Sequence, residues 1–105
     1  MKLLAVITTT ASQEEARRIA AEVVQRGLGA CAQISEIESF YTWKGAVQQD
    51  KEYRVVIKTT AELYGVVEQA IKAMHSYELP AIYAVPLVQV YTQYAEWVED
   101  NTKKA

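Results

Sequence analysis

A chain of 105 residues, half of them hydrophobic and 23% charged, has the composition of one globular domain and indicates neither a disordered chain nor a membrane protein. Its net charge of −2, with acids and bases interspersed, shows no basic patch and argues against nucleic acid as a partner. One cysteine excludes an intrachain disulfide and suits a reducing compartment.

The first apolar run, residues 3–7, is shorter than the roughly 7–15 residues of a signal-peptide core. It reads better as a first strand over 3–9, ending in threonines, and predicts a cytoplasmic protein. Ser12-Gln13-Glu14-Glu15 then matches a capping box, in which the Ser oxygen and the Glu carboxylate each satisfy a free amide. Behind it Ala16, Ile19, Ala20, Val23 and Val24 recur at helical spacing, and Gly27 stops a helix of about 15 residues.

Residues 31–60 read as one long β-hairpin. On the returning arm Val47, Tyr53, Val55 and Ile57 share one parity, while Gln48, Asp50, Glu52, Arg54 and Lys58 share the other. Gly45 supplies the positive φ of a tight turn near residues 43–46. On the outgoing arm the apolar parity switches between Ile34 and Ile37, which predicts a β-bulge near Glu36. Each arm holds about a dozen residues against a usual ~5–6, so the hairpin would reach ~40 Å. No helix of this chain is long enough to cover that, and Phe40, Tyr41 and Trp43 lie at the far end. The pattern predicts an obligate oligomer in which another copy covers these aromatics.

Thr59 or Thr60 is expected to cap a second helix, with Glu62 near its positive end. Leu63, Val66, Val67, Ala70, Ile71 and Met74 form its apolar stripe. Pro80 closes the loop behind it. A fourth strand over 81–87 carries Pro86 near its end, which marks an edge. Tyr94, Trp97 and Val98 place a stripe on a short terminal helix, followed by a frayed tail over 101–105. The order β-α-β-β-α-β predicts an α+β ferredoxin-like sandwich over residues 1–105, with a long hairpin and a short C-terminal helix. Both main helices lie on one face, and the open face needs a second cover.

These motifs resemble the CutA family of divalent-cation-tolerance proteins along nearly the whole chain. The resemblance rests on Gly29-Ala30-Cys31, on Ser39-Phe40-Tyr41-Thr42-Trp43-Lys44-Gly45, and on Glu52 with Ile57-Lys58-Thr59. It continues through His75-Ser76-Tyr77-Glu78-Leu79-Pro80, Pro86, and Tyr94 with Trp97. The resemblance implies a cytoplasmic homotrimer whose hairpins pair between subunits, PII-like in architecture, associated with copper or other divalent cations and not an established enzyme. The chain departs from the family pattern at Gln33, Ala46, Ala81 and Val90. Of three copper ligands suggested for some members, a Cys is replaced by Thr8 and one of two His by Met74, which leaves His75.

His75 is therefore the candidate metal ligand, with a local helix-capping role as its bland alternative. Lys58, Tyr77 and Glu78 are candidates for holding a small anionic metabolite beside a subunit cleft. For Glu52, Arg54 and Lys58, cross-strand pairing is a sufficient account. Phe40, Tyr41 and Trp43 are candidates for the trimer interface. Cys31 reads as a small buried hydrophobe, since no base or electropositive setting lies near it in sequence. The favoured function is a non-enzymatic trimeric module that binds a metal ion or small ligand at subunit clefts. A structural scaffold is the alternative, and an enzyme using His75, Tyr77, Glu78 and Lys58 is the weaker one, because no catalytic motif is present. An RNA-binding surface is the weakest reading of all, given the missing aromatic strand pattern and the slightly acidic charge.

Overall fold

The computed structural model describes residues 2–103. Its elements run β1 (Leu3–Thr10), α1 (Gln13–Gln25), β2 (Cys31–Trp43), β3 (Ala46–Thr60), a 3-10 turn (Ala61–Leu63), α2 (Tyr64–Met74), β4 (Ile82–Leu87) and α3 (Thr92–Asp100). The four strands form one sheet in the order β2-β3-β1-β4, every neighbouring pair antiparallel. This is the ferredoxin-like α+β arrangement that the element order predicts.

Alternation along β1 assigns the two faces. Val6 packs with Val55 and Ile57 against Ala16, Ile19 and Val23 of α1 and Val67, Ala70 and Ile71 of α2. Leu3, of opposite parity, packs instead with Ala30 and with Val98 of α3. The terminal helix therefore covers one end of the face that the main helices leave open, so that cover comes partly from within the chain.

The hairpin has no bulge. Pairing runs unbroken from Cys31 with Lys58 to Trp43 with Ala46. The parity switch has another cause. The β1 ladder ends where Thr10 meets Tyr53, so residues 37–43 and 46–52 project as a two-stranded ribbon. At ~3.3 Å per residue that ribbon reaches ~23 Å past the sheet. No helix there demands one apolar parity, and Val47 is 76% exposed. The long axis of the molecule is 44 Å. Lys44 (φ 51) and Gly45 (φ 80) both lie in the left-handed region, which makes the two-residue turn type I′ and matches the twist of the arms.

Three local expectations are corrected. The Ser12 hydroxyl accepts from the Glu15 amide, but the Glu15 carboxylate turns away to take the backbone amide and hydroxyl of Ser76. The capping box is half made because a distant partner offers that carboxylate two donors. Thr59 donates to the Leu28 carbonyl, and Thr60 leads into the 3-10 turn without a side-chain cap. Of the tail, Lys104 and Ala105 lie outside the described residues. Residues 101–103 are held, with the Asn101 amide returning to helix carbonyls and the Lys103 amide donating to Gly27.

Candidate functional site

His75 sits at the C-terminal end of α2 with its side chain enclosed. Nδ1 accepts the Tyr77 backbone amide at 3.2 Å, and Nε2 lies 2.8 Å from the Thr9 carbonyl oxygen. A carbonyl only accepts, so the proton is on Nε2 and the ring is a neutral tautomer with both nitrogens in use. Glu15 lies 3.8 Å from Nδ1. The ring thus fixes the start of the loop behind α2 against the end of β1.

Two residues on, Tyr77 donates its hydroxyl to Glu52 Oε2 at 2.6 Å. Burial first, and the Glu52 carboxylate second, raise the Tyr77 phenol well above its ordinary range. Glu52 is 7% exposed and is paired with Ile37 in the ladder. Between the ribbon, this loop and β4 lies an open cleft of about 640 Å³. Phe40, Tyr41 and Trp43 line it from the ribbon, Tyr77 and Glu78 from the loop, and Tyr83 from β4. The Tyr41 hydroxyl is held by Asp50, which raises its pKa.

The structure thus brings Tyr77 and Glu78 together with the three ribbon aromatics. Lys58 is not part of this group. It pairs with Cys31 near the opposite end of β3, six residues or ~20 Å from Glu52, and its ammonium donates to Gln33. Glu52 and Tyr83 are the residues that the sequence reading missed. The even parity of Glu52 put it on the face away from the main helices, but nothing local shows a tyrosine arriving from 25 residues away. Tyr83, adjacent to two half-buried positions of β4, carried a period-2 signal for the same open face.

No group of three or more His, Cys, Asp or Glu side chains among the described residues could hold a metal ion. Thr8 is fully buried and its hydroxyl has no partner among the described residues, but a neutral hydroxyl is a poor donor for copper-type ions. With His75 engaged at both nitrogens, the donor set of one chain does not fit such a cation.

A family model described as CutA1 divalent ion tolerance protein matches residues 4–101. The chain belongs to the CutA1 family. The divalent-cation tolerance protein CutA of Archaeoglobus fulgidus is 35% identical over 90% of this chain and 93% of its own length. That of Thermus thermophilus is 36% identical over 92% and 95%. The crystal structure of CutA1 from Oryza sativa superposes with a TM-score of 0.96 at 32% identity, over all of this chain and 97% of its own. Family names carry different addresses: the Archaeoglobus structure is described as periplasmic and a rice relative as chloroplastic. Among the described residues, no helix is long and apolar enough to cross a membrane.

Proposed function

We propose that this CutA1-family chain works as a cytoplasmic homotrimer, a PII-like binding module that holds a small ligand at clefts between subunits and performs no turnover. One observation carries the reading. The ribbon leaves the sheet bare on both sides, with Phe40 64%, Tyr41 40% and Trp43 40% exposed, and it is one wall of the cleft that holds Tyr77 and Glu52. Exposed aromatics beside unpaired strand edges call for a second chain, and the cleft would then be completed by it.

The divalent-cation part of the reading rests on the family's description. A copper-type ion at His75 requires the ring to release the Thr9 carbonyl or the Tyr77 amide, and to find further donors on other copies. Calorimetric titration with copper(II) and zinc(II), on wild type and His75→Ala, separates the cases while light scattering records the mass. Saturable binding lost in His75→Ala supports the cation at that residue. An intact trimer without metal binding leaves the cleft and its small ligand. A stable monomer overturns the proposal.

A further inference from the structure

Among the described residues, every charged side chain lining the cleft is acidic, namely Glu52 and Glu78. Around them stand five aromatic rings, those of Phe40, Tyr41, Trp43, Tyr77 and Tyr83. The anionic metabolite expected beside Lys58 finds no cation in this lining. Glu52 decides the matter. The residue is 93% buried and lines the cleft, its Oε2 takes the Tyr77 hydroxyl, and its Oε1, which accepts no hydrogen bond from the described residues, is not shut off from solvent. A carboxylate oxygen with its acceptor sites free attracts a cation entering the cleft. Glu52 and Glu78 belong to no group of three or more His, Cys, Asp or Glu side chains among the described residues that could hold a metal ion. Aromatic faces, by contrast, attract an organic cation through their quadrupoles and bury its apolar body.

We infer that the cleft is a binding site for an organic ammonium ion, its positive head at Glu52 Oε1 and its apolar body against the Tyr41, Trp43 and Tyr83 rings. This inference rests on the cleft reading above and names the class of ligand. The volume of about 640 Å³ leaves room for a ring-sized body beside the head group.

Calorimetry on the full chain in its native assembly tests it with three probes of similar shape: benzyltrimethylammonium, benzyl alcohol and phenylacetate. Benzyltrimethylammonium is expected to bind saturably, about tenfold or more tighter than benzyl alcohol, with phenylacetate weakest. Glu52→Gln keeps the shape and an acceptor for Tyr77, and should weaken the ammonium about tenfold without affecting benzyl alcohol. Tyr83→Leu, a change on an exposed face, should weaken it severalfold and carries the test if Glu52→Gln does not fold. Absence of saturable ammonium binding, equal affinity for benzyl alcohol, or indifference to both substitutions overturns the inference. A cleft already filled by a lysine of a second copy would give the first of these results. Light scattering on the same samples keeps the two readings apart. A trimer that binds none of the probes sinks the ligand class alone, and a monomer that binds the ammonium sinks the intersubunit cleft alone.

Discussion

The Tyr77 hydroxyl donates to Glu52 Oε2 across 2.6 Å and so fastens the loop behind α2 to β3 at the root of the projecting ribbon. His75 secures the same loop from its other end, through the Thr9 carbonyl and the Tyr77 amide. The cleft wall is thus held by two hydrogen-bonded side chains two residues apart.

Tyr77→Phe removes the one bond that Glu52 accepts from a described residue. Hydrogen bonds to charged groups contribute ~1.5–3 kcal/mol, and water entering an open cleft recovers part of that. The expected loss is about 1 kcal/mol of unfolding free energy, read from urea denaturation. An unchanged midpoint would show that solvent replaces the phenol fully.

Thr8→Val tests the opposite situation. The Thr8 side chain is fully buried and its hydroxyl is the one buried side-chain polar atom without a partner among the described residues. Leaving such a group unsatisfied costs ~1–3 kcal/mol, and valine has nearly the same shape. The substitution should raise stability by about 1 kcal/mol. A fall instead would reveal an ordered water bonded to the hydroxyl.

How much of this was legible follows from where burial enforces a pattern. Ile19, Val23, Val67 and Ile71 face a packed core, so their spacing revealed both main helices. The parity switch from Ile34 to Ile37 misled because β1 and the helices stop short of the ribbon, where Glu52, under Tyr77, is the one side chain buried within the chain. Glu15 reads as a capping-box residue because its neighbours suit one, whereas its true partner, Ser76, is 61 residues away. Lys58 shares the family resemblance of Tyr77 and Glu78 but not their position. The strand rise alone separates Lys58 from the cleft, and that follows only once Glu52 is known to mark it.

Gly29→Ala should be costly for a steric reason, since a Cβ there would lie 2.4 Å from Ile57 Cγ2 and 3.1 Å from Val23 Cγ1. Both neighbours are fully buried and cannot withdraw, so overpacking of ~1–3 kcal/mol is expected. Gly65→Ala is the matched control, because nothing lies within 4 Å of its Cβ position in α2. It should stabilise by about 0.5–1 kcal/mol through helix propensity. Thermal melts of the two variants should therefore move in opposite directions, and a melt of Gly29→Ala above wild type would refute the packing at this strand start.

Cys31 and Tyr94 give a pH prediction. The thiol sulfur lies 3.4 Å from the Tyr94 hydroxyl, joining the start of β2 to α3. That hydrogen bond first, and burial second, push the Tyr94 phenol up to about 12. An unfolded chain releases this proton near pH 10, so between about 10 and 12 the folded state binds more protons than the unfolded one. The stabilisation is therefore complete below about pH 10 and is lost as the pH rises toward 12. Cys31→Ala should move one late-titrating tyrosine back toward the ordinary range in a tyrosinate absorbance titration, and Tyr94→Phe should delete the same component. A late component that survives Cys31→Ala but vanishes in Tyr94→Phe would assign the shift to burial under α3 and not to the thiol.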